Sequence, residues 1–164
     1  MLTVEGSIRA PGLKFAVVVS RFNDFVTDRL QTGALEGLKS AGILDDDICV
    51  IKVPGAFEIP FAAKEAAARG NVAAVVCLGC LIRGATAHFE YIASACAHGI
   101  TDAAAATGVP MTFGVLTTNS VEEALERAGD GTANKGWEAA IAAVEMATLQ
   151  RALRQPRTPN GVNV

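Results

Sequence analysis

Residues 73–92, AAVVCLGCLIRGATAHFEYI, contain the pattern of a buried strand, a polar loop and a helix in direct succession. The run 73–79 is continuously apolar, as expected for a strand that is covered on both faces. From Ala87 onward, apolar residues recur at spacings of three and four, which is typical of one face of a helix. A strand followed by a helix in this way is the repeating unit of a parallel α/β sheet.

Three further apolar runs rich in β-branched residues lie along the chain, at 15–20, 48–53 and 111–117. Helical spacing fills 24–41 and returns after Trp137, and Ser120 with Glu123 forms the capping box of a shorter helix. This alternation predicts an α/β fold, a doubly wound three-layer sandwich with a central four-stranded parallel sheet. In such a sheet a ligand site lies outside the carboxyl ends of the strands.

The length of 164 residues, without a linker or an internal repeat, predicts a single domain, residues 1–154. Segment 155–164, QPRTPNGVNV, has two prolines and no apolar period, so we expect a flexible C-terminal tail. Residues 1–12 are a candidate for an additional edge strand.

Charge and composition exclude several classes of function. The formal net charge is −3 and the sequence pI is about 5.4, whereas nucleic-acid binding requires a basic surface. No apolar run reaches the ~18 residues of a membrane span. The N-terminus also lacks a signal-peptide pattern, so we expect no membrane partner and a cytoplasmic protein.

Four cysteines lie at positions 49, 77, 80 and 96, and we expect them to be reduced thiols. Cys77 and Cys80 match a C-x-x-C motif. A redox motif places its first cysteine at a helix N-terminus, where the dipole lowers the thiol pKa, whereas this pair ends an apolar strand pattern. The pattern therefore favours buried structural thiols.

Polar and aromatic residues follow the predicted strands, at the edge where a ligand site is expected. They lie in segments 20–23, 54–58 and 80–88, which follow the first three strands. The fourth strand contributes Phe113 within it and residues 117–119 at its end. Because the carboxyl ends of parallel strands share one edge, we expect an aromatic, a carboxylate, an arginine and a histidine to converge on one crevice.

The loop of the third strand is the candidate anion site. Ala85 and Thr86 lie at the predicted N-terminus of the helix that carries His88, where free N–H groups favour a phosphate. The alternative is that Gly84 only makes the turn and Thr86 only caps the helix. Imidazole titrates near neutral pH, so His88 suits proton transfer, although its position fits a surface histidine equally well. His98, in mid-helix, is expected to be structural.

Four other candidates each have two interpretations. Phe22 could stack on a planar heterocycle or cover the core. Glu58 could bind ligand hydroxyls or favour a helix dipole. Arg127 and Lys135 could bind a phosphate or stabilise their own helix ends.

Taken together, these segments resemble one family, 6,7-dimethyl-8-ribityllumazine synthase, the penultimate enzyme of riboflavin biosynthesis. The motifs that carry the resemblance are SRFND at 20–24, VPGAFEIP at 53–60, LIRGATAHFEYI at 81–92, FGVLTTNSVEEALERAG at 113–129 and NKGWEAA at 134–140. The likeness runs in register over residues 4–153, and five motifs in order with matching spacings are very specific.

The resemblance implies condensation of 5-amino-6-(D-ribitylamino)uracil with 3,4-dihydroxy-2-butanone 4-phosphate, with loss of water and inorganic phosphate and without a metal or an organic cofactor. Seven residues would line the pocket of the pyrimidine and its ribityl chain: Phe22, Ala56, Phe57, Glu58, Cys80, Leu81 and Ile82. Phe22 would stack on the ring, Glu58 would bind ribityl hydroxyls, and segment 80–82 would contact the ring through its backbone.

By the same resemblance, Ala85 and Thr86 would hold the phosphate, Arg127 would clamp it, and His88 would transfer protons. Phe113 would come from the adjacent subunit of a homo-oligomer. Asn23 and Lys135 are further candidate site residues.

The family builds pentamers, and some members assemble twelve pentamers into an icosahedral shell of sixty subunits. Shell-forming members often carry a loop like GTKAGN, where this chain reads GDGTAN at 129–134. The length is the same, but Gly131 replaces the lysine and Ala133 replaces a glycine. A homo-pentamer is implied, and a shell is favoured by the loop length.

Two hypotheses compete with the enzyme. The first is a shell or lumazine-binding protein without turnover, and the presence of His88, Arg127 and Phe22 argues against it. The second is a flavodoxin-like mononucleotide carrier, which would share the fold and the phosphate loop but would bind flavin mononucleotide tightly.

Overall fold

A computed structural model describes residues 1–155. This part of the chain forms a four-stranded parallel sheet. The strands are β1 (Phe15–Ser20), β2 (Ile48–Val53), β3 (Ala74–Ile82) and β4 (Met111–Thr118). Their order is β2-β1-β3-β4, so the chain runs outward from β1 to β2 and then crosses back to β3. The predicted tail falls outside the described residues, apart from Gln155.

Five α-helices are found in the described part of the chain. Most of them lie where apolar spacing predicts a helix. They are α1 (Asp24–Ser40), α2 (Ile59–Ala68), α3 (His88–Thr107), α4 (Val121–Arg127) and α5 (Lys135–Arg154). The capping box of α4 is confirmed, since Ser120 Oγ accepts from Glu123 N at 3.2 Å. Glu123 also reaches back, but its Oε2 accepts from Asn119 N at 2.9 Å, one residue before the N-cap Ser120.

The helices cover both faces of the sheet. Val17 and Val19 point into a core cluster with residues of α1 and α5, whereas Ala16 and Val18 point into a second cluster with residues of α2 and α3. Alternate residues of a strand face opposite sides, so a strand between two helical layers must be apolar throughout. The predicted three-layer sandwich is confirmed, and β1 is buried along its whole length.

The N-terminal segment corrects one expectation. Within the described single chain, residues 1–12 form no strand. They lie against α5 instead: Ser7 N donates to Thr148 Oγ1 at 2.7 Å. A Cβ on Gly6 would overlap the backbone of Glu145, so the segment approaches the helix closely. This segment therefore does not add a strand to the sheet of its own chain.

None of the helices within residues 1–155 is long and apolar enough to cross a membrane.

Helices α1 and α5 approach each other through small residues. A Cβ on Gly136 would overlap the carbonyl oxygen of Leu30, which is backbone and cannot rotate away. A Cβ on Gly37 would instead meet the methyl group of Ala140 at 3.1 Å. The closer contact at Gly136 is stabilised by the cap of α5, since Asn134 Oδ1 accepts from Gly136 N at 2.7 Å.

We predict that Gly136→Ala lowers the free energy of unfolding by about 1–3 kcal/mol, because the added methyl group forces the two helices apart. Gly37→Ala is the matched control and should change stability by less than about 1 kcal/mol, since its new Cβ would meet Ala140 Cβ at 3.1 Å and Trp137 O at 3.3 Å without overlapping them, and alanine favours the helix. Urea denaturation at one fixed protein concentration measures both. Equal losses in the two variants would contradict the packing argument.

Candidate active site

The carboxyl ends of β1 and β3 lie side by side at the point where the strand order reverses. Helix α1 leaves β1 on one face and α3 leaves β3 on the other, so the two connecting loops diverge and open a crevice. A cavity of about 450 Å³ lies there. Eight of the predicted site residues line it: Phe22, Ala56, Phe57, Glu58, Leu81, Ile82, Thr86 and His88.

Three other predicted residues lie elsewhere on the chain. Phe113, Arg127 and Lys135 line a second cavity of about 470 Å³, between the exposed edge strand β4 and the start of α5. Phe113 is the third residue of β4, paired with Cys77, and is therefore not at the carboxyl end of its strand. Within one chain, the structure does not bring these three side chains to the cavity of His88.

The loop after β1 is held open by backbone bonds. Arg21 N donates to Val53 O at 2.8 Å and Phe22 N donates to Pro54 O at 3.0 Å, so the parallel pairing of β1 with β2 continues into the loop. The ring of Phe22 is 68% exposed, which leaves its face free at the rim of the cavity. Phe22 therefore does not cover the core.

Asn23 joins the loop after β1 to the carboxyl end of β3. Its backbone is left-handed, with φ 60°, a conformation that asparagine tolerates better than most residues. Its Nδ2 donates to Cys80 O at 3.0 Å. Cys80 itself is buried, so its side chain does not face the cavity, and one lone pair of its carbonyl is already used.

Glu58 closes the short 3₁₀ turn Ala56–Glu58 that leads into α2. Its Oε2 accepts from Gly55 N at 2.9 Å, which fixes the carboxylate at the rim of the cavity. Pro60 in the first turn of α2 adds a fixed φ just behind it. The local role of Glu58 as a cap is thus present, and its second oxygen stays available to a ligand.

The anion-loop prediction depends on the start of α3. The helix begins at His88, with Ala87 as its N-cap residue, and no side chain caps it. The alternative that Thr86 caps the helix is therefore wrong. Gly84 has no left-handed φ, and a Cβ there would meet nothing within 4 Å, so the turn does not require glycine either. No side chain caps α3, so the N–H groups at its start remain available to an anion, apart from that of Glu90, which bonds its own carboxylate.

His88 is the first residue of α3 and is exposed at the cavity. His98 lies ten residues further along the same helix, where its Nδ1 is 2.8 Å from Ser94 O. It lines none of the cavities described above, consistent with the structural role expected for it.

Sequence reasoning gave Gly84 only a role in the turn and did not single out Gly55, Phe89 and Ile92, and all four also line the cavity. It also missed the partners of Arg83, whose Nε donates to Asn119 Oδ1 at 3.0 Å and whose Nη1 donates to Glu90 Oε1. The backbone N–H of Glu90 and then the Arg83 guanidinium lower the pKa of the Glu90 carboxyl. The only sequence signal for this pair was opposite charge on either side of the loop 84–87.

In the second cavity, the cationic groups have local partners. Lys135 Nζ lies 2.7 Å from Glu138 Oε2, and Arg127 Nη1 donates to Glu123 O at 3.3 Å. Both bonds are at exposed positions, where they are easily exchanged for a stronger anionic partner. Phe113 is 47% exposed beside them.

The cysteines are all free in the described chain, with Cys49 exposed and the other three buried. Burial raises the pKa of Cys80 to about 11, and burial followed by the nearby Cys96 raises that of Cys77 further. A thiol that resists ionisation is a poor nucleophile. The structural interpretation of C-x-x-C is therefore favoured.

Comparisons with known proteins agree with the motifs. The family model described as 6,7-dimethyl-8-ribityllumazine synthase matches residues 12–151, which includes both cavities. A protein of Syntrophus aciditrophicus (strain SB), named 6,7-dimethyl-8-ribityllumazine synthase, is 52% identical over 147 residues, covering 90% of this chain and 96% of that protein. The resemblance stated from the motifs is confirmed: the chain belongs to the 6,7-dimethyl-8-ribityllumazine synthase family.

Proposed function

We propose that this protein condenses 5-amino-6-(D-ribitylamino)uracil with 3,4-dihydroxy-2-butanone 4-phosphate to form 6,7-dimethyl-8-ribityllumazine, phosphate and water in riboflavin biosynthesis. The observation that carries the proposal is the cavity that joins Phe22, Glu58 and His88 in a chain of this family. One domain, residues 1–154, performs the reaction. The four free thiols support a cytoplasmic location.

The pyrimidine binds in the inner half of the cavity. Phe22 stacks on its ring, which the exposed position of the phenyl group supports. Leu81 and Ile82, at the end of β3, offer backbone groups to the ring edge, together with the carbonyl of Cys80 that Asn23 already orients. Ala56 and Phe57 line the ribityl pocket, and the free oxygen of Glu58 accepts from a ribityl hydroxyl.

The phosphate of the second substrate binds at Ala85 and Thr86, against the uncapped N-terminus of α3. The positive end of the helix favours the anion both in the substrate and after it leaves. This arrangement places the leaving group next to His88, the first residue of the helix.

His88 transfers the protons. Imine formation, phosphate elimination and ring closure each move a proton between nitrogen, carbon or oxygen atoms, and an imidazole can donate and accept at neutral pH. Holding two substrates in one cavity supplies a large part of the rate, so a histidine without a triad is sufficient.

The complete site lies between subunits. Phe113, Arg127 and Lys135 share a cavity that contains none of the catalytic loop, and Arg127 can bind phosphate only if this cavity meets the first cavity of a neighbour. Such a contact joins two different surfaces, and repeated copies form a ring when the rotation between neighbours closes. Exposed aromatic residues beside the first cavity, Phe57 and Phe61 among them, support burial by a partner. We propose a homo-pentamer, with sixty subunits in a shell if twelve pentamers associate.

The proposed reaction is tested by mixing the protein with both substrates and following lumazine absorbance against the uncatalysed reaction. We expect formation well above background, and colourless protein as purified. If lumazine forms no faster than in the uncatalysed reaction, but the protein binds lumazine or flavin tightly, the result would instead favour a binding protein.

We predict that His88→Ala slows turnover by about 100-fold, since it removes the general acid and base. Affinity for the pyrimidine, measured by calorimetry, should change little. His98→Ala is the matched control on the same helix and should retain full activity, because His98 contacts only the backbone of its own helix and Ser94. Equal turnover of His88→Ala and His98→Ala would remove His88 from the mechanism.

We predict that two inactive variants complement each other when they assemble together. In a ring mixed at equal amounts from His88→Ala and Arg127→Ala subunits, about a quarter of the interfaces combine two intact halves. Co-refolding the two variants should therefore restore about a quarter of wild-type activity, whereas each variant alone stays far below that level.

Light scattering provides the control for assembly. Five chains of 16.9 kDa give about 85 kDa, and sixty give about 1 MDa. If assemblies of either size form but the mixture is no more active than its components, both residues act in a site of one subunit. That result would exclude a site shared between subunits.

A further inference from the structure

We propose that Arg83 is a positioning residue that holds the loop 84–87 and the first turn of α3 in their binding conformation by bonding to Asn119 and Glu90 on either side of it. The inference rests on the proposed function, because the loop is the proposed phosphate site and His88 is the proposed proton carrier. Arg83 does not line the cavity itself.

Arg83 is firmly held on the sheet side. Its backbone N donates to Thr118 O at 2.8 Å, so the pairing of β3 with β4 extends one residue beyond β3. Its Nε donates to Asn119 Oδ1 at 3.0 Å. Asn119 is itself fixed, because its backbone N donates to Glu123 Oε2 in the cap of α4. The guanidinium therefore starts from a rigid support.

On the helix side, Arg83 contacts two consecutive residues of α3. Its Nη1 donates to Glu90 Oε1, and its Cζ lies 4.6 Å from the centroid of the Phe89 ring. Phe89 also lines the cavity and directly follows His88. One planar side chain thus joins the end of β3, the β4–α4 loop and the first turn of α3.

The loop has little else to hold it. Residues 84–87 are all exposed, and a Cβ on Gly84 would touch nothing within 4 Å. No helix cap fixes Thr86. Because apolar packing does not order this loop, the polar contacts at its two ends must do so. A phosphate site made of backbone N–H groups binds best when those groups are already ordered.

The chemistry requires an arginine in particular. Arg83 uses two different nitrogen atoms for Asn119 and Glu90 and its flat face for Phe89, a combination that the single ammonium of lysine cannot reproduce. The side chains of Arg83 and Glu90 are 47% and 51% exposed, so the pair should contribute little to global stability. Its effect should be local to the loop.

Arg83→Gln is the primary test. We expect KM for the butanone phosphate, and the inhibition constant of inorganic phosphate, to rise by about tenfold, the loss associated with a charge-assisted hydrogen bond. KM for the ribitylaminouracil should stay within about twofold, since its proposed pocket lies on the loops after β1 and β2 and on residues of β3 that are held by the sheet before the loop 84–87 begins. Arg83→Lys should remain impaired, and Glu90→Gln should change the same constants in the same direction.

Lys39→Gln is the matched control, because it breaks another exposed ion pair, that of Lys39 with Asp45 at 2.9 Å, away from the cavity. It should leave every kinetic constant unchanged. Full recovery in Arg83→Lys would mean that charge alone matters and would overturn the proposal. A lower Tm in Arg83→Gln with unchanged phosphate constants would also overturn it.

Hydrogen exchange separates this proposal from the proposed function. Without any substrate, the amides of residues 84–91 should exchange faster in Arg83→Gln than in the wild type, whether or not the protein is a synthase. Unchanged exchange in that segment would refute the positioning role even in a fully active enzyme. Absent turnover in the wild type would refute the function alone.

Discussion

The parallel pairing of β1 with β3 is the constraint on which the rest of the structure depends. Both strands are buried between two helical layers, and the order β2-β1-β3-β4 makes them neighbours although α1, β2 and α2 separate them in the chain. Their connections leave toward opposite faces of the sheet, so a crevice at their carboxyl ends follows from topology. The bond from Asn23 to Cys80 O then fixes the loop after β1 against the end of β3, through a residue in a left-handed conformation.

A crevice built this way is open on the side of the solvent. Phe22 and Phe57 are 68% and 59% exposed. Exposing these rings to water costs free energy in an isolated chain, and this free energy is recovered when a ligand or a partner covers the rings. The same reasoning applies to Phe113 on the edge strand β4. Apolar side chains at the rim, together with Arg127 on a separate surface, are consistent with a site that is incomplete until copies of the chain associate.

Much of the fold could be predicted from the sequence, because burial between two layers demands continuous apolar strands and helices leave a regular spacing. The cap of α4 was predictable for a similar reason, since Ser120 and Glu123 are close in sequence. The site was predictable only as a set of segments. Strand order and the direction in which each side chain points decide which side chains share a cavity. For this reason Phe113 and Arg127 lie in a different cavity from His88. The N-terminal segment was misjudged because its sequence does not specify the surface on which it packs, which is α5.

As the proposed phosphate site, the loop before α3 has to satisfy two opposing requirements. Its backbone must be bare, with small residues and an uncapped helix end, so that an anion can reach the N–H groups. A bare loop has no packing to order it, and every disordered residue reduces affinity by the entropy lost on binding. Contacts at the flanks of the loop resolve this conflict, because they restrict the backbone without occupying the ligand position. Arg83 lies where such a restraint is effective: it follows β3 directly, while its partner Glu90 lies two residues after His88. The residue proposed to transfer protons is therefore placed by a side chain outside its cavity, and the rigidity of the sheet is carried into the loop.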